Sequence, residues 1–123
     1  MRYTSVIGKN AEIMVAGVLR KNGAIVSKMN YRSRYGEIDI VAETRKYVLF
    51  VEVKLRKKDS LVSAAEAVDG YKQQRILLTA KDYLSKAHLD EDLTVRFDVA
   101  EVTYETDKDG KIVYTLNYIK NAF

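Results

Sequence analysis

The chain has 123 residues, of which 47% are hydrophobic and 31% charged, with a formal net charge of +4 and a pI of about 9.2. These values indicate one folded domain over residues 1–123, with a mild bias towards polyanionic partners. The absence of cysteine excludes disulfides and thiolate catalysis. The single histidine, His88, follows a predicted helix in a polar stretch, so we expect a surface role for it rather than serine-triad or HExxH chemistry.

The first nine residues carry no apolar core of the signal-peptide type. No uncharged apolar stretch approaches the ~18 residues needed to span a bilayer. We therefore expect a cytoplasmic protein that does not enter a membrane.

The first predicted element is a helix over Asn10 to Asn22, which Gly23 ends. Glu12 lies at the edge of its apolar stripe. One interpretation makes Glu12 a first-turn partner of the helix dipole, which is the commoner role for such a residue. The other aims Glu12 at the acidic strands that follow, as a third carboxylate.

Three strands are predicted next, over Ala24 to Tyr31, Gly36 to Ala42 and Tyr47 to Leu55. Side chains of a strand alternate between its two faces. In the third strand this places Glu52 and Lys54 on one face with Val48 and Phe50. In the second strand it places Asp39 on one face with Glu37 and Val41, opposite Ile38, Ile40 and Ala42.

The register between the second and third strands decides whether the acids meet. If Glu43 to Lys46 form the hairpin loop, Ala42 pairs with Tyr47 and Asp39 pairs with Phe50. Asp39 then lies diagonal to Glu52, with the two backbones about 7–8 Å apart. A loop of odd length would send the two acids to opposite faces.

Burying an ionised group inside an apolar strand costs on the order of several kcal/mol, unless a metal, a counter-charge or hydrogen bonds compensate its charge. Asp39 and Glu52, with a backbone carbonyl such as that of Val53, would form a hard oxygen site suited to Mg²⁺ or Mn²⁺. Lys54 would orient a catalytic water or neutralise a phosphate. The alternative is that Asp39, Glu52 and Lys54 form a solvated sheet surface, a common pattern in antiparallel sheets.

Basic residues surround the acidic strands. They are suited to a phosphate backbone on either side of a metal, although charge runs are more often solvated turns. The candidates for nucleic-acid contact on these segments are Arg32, Arg34, Arg56, Lys57 and Lys58.

A second helix is predicted over Asp69 to Leu84, with Asp69 as its cap. Lys72 and Gln73 in its first turn would meet a phosphate or hold a catalytic water, or else they mark an ordinary helix entry. Two strands complete the chain, Val95 to Tyr104 and Ile112 to Tyr118, joined by a turn at residues 107–110. The order αβββα followed by ββ predicts an α/β fold with a central mixed sheet flanked by helices.

Several motifs together resemble the YraN-like family of uncharacterised bacterial proteins, and the likeness runs nearly end to end. They are Asn30-Tyr31-Arg32, Gly36-Glu37-Ile38-Asp39, Phe50-Val51-Glu52-Val53-Lys54, Arg96-Phe97-Asp98-Val99 and Asn121-Ala122-Phe123.

The resemblance implies a restriction-endonuclease-like αβββαβ core, similar to that of archaeal Holliday-junction resolvases. Asp39, Glu52 and Lys54 then match the catalytic D…ExK positions, Glu12 matches an acid on the first helix, and Gln73 matches a glutamine on the following helix. No proline precedes Asp39, a departure from the full motif that many members of that wider group share.

Three functional hypotheses follow. The first is a Mg²⁺- or Mn²⁺-dependent nuclease acting on nucleic acid, with DNA expected and branched DNA as a candidate substrate, and with a homodimer expected by analogy alone. The second is a non-catalytic nucleic-acid-binding module on the same fold. The third is a small interaction protein indifferent to nucleic acid.

Overall fold

The computed structural model describes residues 2–59, 69–87, 89 and 92–123, and His88 lies outside the described residues. The described part of the chain forms two helices and five strands: α1 (Arg2–Lys21), β1 (Ile25–Ser33), β2 (Gly36–Glu43), β3 (Tyr47–Lys57), α2 (Gly70–Lys86), β4 (Thr94–Thr106) and β5 (Ile112–Ile119). This order confirms the predicted αβββαβ core with one further strand. Neither helix is long and apolar enough to cross a membrane, as far as the described residues extend.

The strands form one mixed sheet in the order β1-β2-β3-β4-β5. β3 and β4 are parallel, and the other neighbouring strands are antiparallel. Parallel neighbours need a crossover connection, and α2 lies in the one between β3 and β4. The helices pack on opposite faces: Ala11 and Val15 of α1 contact a cluster that contains Val51, whereas Ile76 of α2 contacts one that contains Phe50. The sheet is therefore covered on both faces, as predicted.

Helix α1 begins at Arg2, eight residues before the predicted start at Asn10. Ile7 is buried, and it extends the stripe of Ala11 and Val15 back by a turn because residues four apart share a helix face. Glu12 consequently lies in the middle of the helix. The first-turn dipole interpretation of Glu12 is wrong, because dipole effects decay within the first turn.

The hairpin between β2 and β3 is tighter than predicted. Ala42 pairs with Leu49 rather than with Tyr47, and Glu43 pairs with Val48. The hydroxyl of Thr44 accepts hydrogen bonds from the backbone N–H groups of Lys46 (3.2 Å) and Tyr47 (3.0 Å), which closes the turn around two residues. The register is therefore displaced by two positions, and an even displacement leaves Glu52 and Lys54 on the face of Phe50, as predicted.

The alternation of β2 is broken at Asp39. Ile38 packs with Val41 and Phe50 on the α2 side, whereas Ile40 packs on the α1 side, so the prediction that Ile38 and Ile40 share a face is wrong. Across the ladder, Met29 pairs with Ile40 and Tyr31 with Ile38, and Asn30 between them has a left-handed φ of +52°. A left-handed residue re-aims the side chains that follow it.

The end of the chain docks on β4 through a buried carboxylate. Asp98 is fully buried and accepts two hydrogen bonds from the Arg96 guanidinium, both of 2.9 Å. It also accepts from the Tyr118 hydroxyl (2.6 Å) and from the backbone N–H of Asn121 (2.8 Å). Phe123 stacks on Phe97 with ring centroids 5.3 Å apart. The family motifs at residues 96–99 and 121–123 thus form one structural unit.

Candidate metal centre

Four ionisable side chains from three elements meet at the end of the β2–β3 ladder. Asp39 and Glu52 occupy the positions that follow the Ile40–Val51 pair, with their carboxyl groups in hydrogen-bonding reach of each other. The Lys54 amine reaches the Lys72 amine of α2, and Lys72 Nζ lies 3.6 Å from Glu52 Oε2. We refer to Asp39, Glu52, Lys54 and Lys72 as the acidic centre.

The backbone fixes the position of each group. Asp39 Oδ2 accepts a hydrogen bond of 2.8 Å from the backbone N–H of Val53, which takes the place of a ladder bond between β2 and β3. On α2, the Asp69 side chain caps the helix by accepting from the Lys72 N–H at 2.9 Å, as predicted for this cap. The cap sets the phase of the first turn, so the Lys72 side chain is directed towards β3.

The two acids are electrostatically strained in the metal-free protein. Glu52 is only 5% exposed, and its Oε2 has no hydrogen-bond partner among the described residues, because 3.6 Å to Lys72 is too long for a hydrogen bond. Burial raises the pKa of Asp39 to about 8, with a further rise from the hydrogen bond and negative charge of Glu52. The pair therefore holds a proton near neutral pH that a cation would displace.

The pKa values of the two lysines shift in opposite directions, although the two amines share the same surroundings. Burial, and then the neighbouring Lys72 amine, lower the pKa of Lys54 to about 8. Burial alone would also lower the pKa of Lys72, but its hydrogen bond to Lys54 and the nearby carboxylates raise it. Lys54 is thus the amine that more readily becomes neutral, while Lys72 stays charged.

The donor set fits a small hard cation. Asp39 and Glu52 supply carboxylate oxygens, and Glu52 Oε2 is a buried acceptor still in need of a partner. Mg²⁺ is typically bound by one or two carboxylates, with waters and phosphate oxygens completing its shell. No group of three or more His, Cys, Asp or Glu side chains that could hold a metal occurs within the described residues. Of the described side chains of these types, only Asp39 and Glu52 would therefore hold a cation here, and other oxygens would complete its shell.

Glu12 does not join Asp39 and Glu52 in such a group. Its Oε1 accepts a hydrogen bond of 3.0 Å from the Asn30 side chain and lies 3.5 Å from the Lys9 ammonium. Lys9 also donates to the Asn30 side-chain oxygen at 2.8 Å. Glu12 is thereby connected to the left-handed residue beside Asp39, which is a position for supporting the acids rather than for holding the cation with them.

The basic candidates are distributed unevenly around the centre. Arg32 forms an ion pair with Glu37 (3.1 Å) and Lys58 forms one with Glu105 (3.3 Å), so both are partly neutralised. The Arg34 guanidinium lies over the ring of Tyr35. On β3, Arg56 is half-buried and Lys57 is exposed, and Gln73 is half-buried in the first turn of α2.

Two features of the site were missed in the sequence. One is the approach of Lys72 to Glu52, since the pattern of α2 does not report how the helix sits on the sheet. The other is a cluster of tyrosine and arginine beside the centre, in which Arg75 donates to the Tyr71 hydroxyl at 3.2 Å. The spacing of Tyr71 and Arg75, four residues apart on a helix, was the available signal.

We expect Asp39→Asn to stabilise the metal-free protein by an amount that grows as the pH rises. The ordinary pKa of Asp39 is 3.8 and its folded pKa is about 8. A group whose pKa is raised on folding contributes its stability below the unfolded pKa and loses it as the pH rises towards the folded pKa. Asparagine does not titrate, so urea unfolding in EDTA should show a larger gain near pH 8 than near pH 4, at roughly the two ends of that window. A gain that is the same at both pH values, or equal to that of Glu105→Gln, would contradict this account.

Comparisons with known proteins point to one family. A family model described as "Uncharacterised protein family UPF0102" matches residues 11–102. A UPF0102 protein of Clostridium botulinum (strain 657 / Type Ba4) is 36% identical over 117 residues, which cover 95% of this chain and 93% of that relative. A UPF0102 protein of Alkaliphilus metalliredigens (strain QYMF) is 38% identical over 117 residues, covering 95% and 96%. These descriptions name no reaction and no ligand.

Proposed function

The chain belongs to the UPF0102 family, as its YraN-like motifs predict, and we propose that it is a divalent-metal-dependent nuclease that hydrolyses phosphodiesters at the acidic centre. The observation that carries this proposal is Glu52 Oε2, a buried carboxylate oxygen without a hydrogen-bond partner among the described residues, beside a second acid and a lysine. Such an arrangement is destabilising unless a cation occupies it. An acid with a raised pKa next to a lysine with a lowered pKa, here Asp39 and Lys54, is characteristic of functional sites.

Each member of the centre has a distinct role in this proposal. Asp39 and Glu52 hold Mg²⁺ or Mn²⁺. The bound cation supplies an activated water and offsets charge on the phosphate. Lys54, with its lowered pKa, accepts a hydrogen bond from that water or takes its proton. Lys72 remains charged and attracts the phosphate.

The surrounding residues complete the proposed role. Glu12 and Asn30 support the backbone beside Asp39 through their hydrogen bond. Phosphate contacts of this kind carry no sequence information, so selectivity would follow the shape of the DNA, and a two-fold homodimer would present two centres to a branched substrate. The residues proposed to hold the nucleic-acid backbone are Arg32, Arg34, Arg56, Lys57, Lys58, Lys72 and Gln73.

A non-catalytic nucleic-acid-binding module is the second candidate, and the two lysines favour it. Lys54 and Lys72 bring two potential positive charges to two acids, so that the centre could be neutral without a cation. In that case the acids hold β2, β3 and α2 together. The arginines and lysines around the acidic centre would then be the functional part of the molecule.

The test is a cleavage assay on single-stranded, duplex, flapped and four-way-junction DNA, in EDTA, Mg²⁺ and Mn²⁺. We expect cleavage that needs a metal and that is lost in the double variant Asp39→Asn/Glu52→Gln. Glu105→Gln, which replaces a partly exposed acid on β4, is the matched control and should cleave as the wild type does.

Two other outcomes have separate meanings. Salt-sensitive DNA binding without cleavage under any metal would reject the nuclease and favour the binding module. Each phosphate neutralised contributes about −0.9 to the log–log salt slope on duplex DNA. DNA binding that does not change with salt concentration would reject both candidates and leave the interaction protein as the remaining hypothesis.

A further inference from the structure

An open cleft lies beside the acidic centre, between α2 and the turn that joins β1 to β2. Its volume is about 310 Å³, and its lining residues are Arg34, Tyr35, Tyr71, Gln74, Arg75 and Leu78. The four residues from α2 are spaced so that they form one stripe of the helix. Tyr71 directly precedes Lys72 of the acidic centre, so the same first turn of α2 contributes to both.

Aromatic rings and guanidinium groups alternate in the cleft. The Arg34 guanidinium lies 4.9 Å from the centroid of the Tyr35 ring and donates to its hydroxyl at 2.7 Å. The Arg75 guanidinium lies 5.7 Å from the centroid of the Tyr71 ring and donates to the Tyr35 carbonyl at 2.7 Å. Both arginines are therefore oriented by the tyrosines and the turn rather than extended freely into solvent.

Tyr71 presents an exposed ring in this cluster. It remains 71% exposed although it is large and aromatic. Arg75 also fixes the cleft floor, because its side chain lies against Gly36, whose φ of +154° and close neighbours hold the turn in place. The cleft thus presents an accessible ring beside a turn that packs against Arg75.

The chemistry of the lining selects a ligand that is both anionic and planar. Two guanidinium groups contribute positive charge, and none of the described residues that line the cleft carries a carboxylate. Exposed aromatic rings stack on bases, and arginine adds cation–π attraction to the same bases and charge attraction to the phosphate. A base inside a duplex is already stacked and cannot enter, so the ligand must be unpaired.

We propose that this cleft receives an unpaired nucleotide of the strand whose phosphate lies at the acidic centre, which makes nucleic acid with a single-stranded segment the preferred substrate class. The inference rests on the proposed nuclease function for the position of that phosphate. Tyr71 stacks on the base, while Arg34 and Arg75 neutralise the adjoining phosphate.

The test measures binding in EDTA, so that cleavage plays no part in it. The probes are a fluorescent DNA duplex with a short single-stranded tail and a fully paired duplex of the same strand length. We expect Tyr71→Ala to weaken binding of the tailed probe by about tenfold, as stacking on one base implies, and to change binding of the paired duplex by less than about twofold. Tyr71→Phe, which keeps the ring, should bind both probes as the wild type does.

A local signal and a control on the same helix complete the design. 2-Aminopurine in the tail should lose fluorescence on binding to the wild type and not on binding to Tyr71→Ala, because stacking on the ring quenches it. Leu77→Ala removes another exposed side chain of α2 on a different helix face and should change neither probe. Replacing the tail by RNA shows which sugar the cleft accepts, and a preference for either supports an unpaired-nucleotide site.

Three results would overturn the inference: equal weakening on both probes, no weakening on either, or no binding of either probe by the wild type. Cleavage is measured separately with Mg²⁺ and Mn²⁺. Tyr71-dependent binding of the tail without any cleavage would reject the nuclease and keep the nucleotide site. Cleavage that does not depend on Tyr71 would reject the nucleotide site and keep the nuclease.

Discussion

Replacing Lys54 with methionine should lower the rate of metal-dependent cleavage by about 10²–10³-fold, which is the usual effect of removing one charge-stabilising group from an active site. Methionine keeps most of the side-chain volume and removes the amine. Lys54 is half-buried between Glu52 and Lys72, and its pKa is lowered to about 8. It is therefore the residue best suited to exchange a proton with a nucleophile near neutral pH.

Metal binding should survive in Lys54→Met, since Asp39 and Glu52 remain. The stabilisation of the protein by Mg²⁺ or Mn²⁺, measured as a rise in the unfolding temperature, should match or exceed that of the wild type. Removing a nearby positive charge can only favour the cation. Loss of the metal-induced rise in Lys54→Met would show that Lys54 organises the ligands rather than the reaction.

Lys72→Met distinguishes the two lysines of the centre. Its side chain is 42% exposed and its pKa is raised, so it is a charged group that attracts phosphate through a solvated environment. We expect a loss of cleavage on the order of tenfold, expressed mainly as a higher KM, because charge attraction at an exposed position is weaker than at a buried one. Lys81→Met, at an exposed position of the same helix and outside the proposed nucleic-acid contacts, is the control. A larger loss in Lys72→Met than in Lys54→Met would reverse the assigned roles.

Most of what the sequence revealed about the acidic centre followed from the alternation of side chains between the two faces of a strand. Whether Asp39 can lie beside Glu52 and Lys54 depends on whether the β2–β3 register shifts by an even or an odd number of residues. The turn closed by Thr44 shifts that register by two. The predicted pairing of Asp39 with Phe50 was therefore wrong while the grouping of the acids survived. A side-chain hydroxyl that tightens a turn leaves little trace in hydrophobic periodicity.

Features that depend on tertiary placement were not predictable. Ile38 lies on the other side of the sheet from Ile40, against the alternation of β2, opposite the segment of β1 that contains the left-handed Asn30. Helix α1 begins early because Ile7 finds a buried position, which no local pattern guarantees. The approach of Lys72 to Glu52 likewise depends on the rotation of α2 against the sheet.

Asp98→Ala should reduce the free energy of unfolding by about 3–5 kcal/mol, the usual consequence of removing one partner of a buried ion pair. Asp98 is fully buried, and the Arg96 guanidinium that pairs with it is only 16% exposed. Without the carboxylate, the guanidinium charge, the Tyr118 hydroxyl and the Asn121 N–H all lose their acceptor. Because small domains are stable by only about 5–15 kcal/mol, this loss would remove much of the total. Urea unfolding measures it.

Milder substitutions keep the prediction testable if Asp98→Ala does not fold. Tyr118→Phe removes a single hydrogen bond of 2.6 Å to Asp98 and should cost about 1–2 kcal/mol, because a charged acceptor is involved. Glu101→Gln, three residues after Asp98 on β4, replaces a half-buried acid whose side chain accepts a hydrogen bond from the Asn117 amide. It should change stability by no more than about 0.5 kcal/mol.

A double variant at Arg96 and Asp98 shows whether the ion pair or the whole hydrogen-bond network accounts for the stability lost in Asp98→Ala. If the ion pair dominates, the double variant Arg96→Met/Asp98→Ala should be more stable than Asp98→Ala alone, since it leaves no uncompensated guanidinium. If the double variant loses as much stability as Asp98→Ala, the hydrogen bonds that the Asp98 carboxylate accepts from Tyr118 and Asn121 contribute more than the ion pair does. A small effect of Asp98→Ala would contradict both, because it would mean that water replaces the carboxylate at a position the structure closes to solvent.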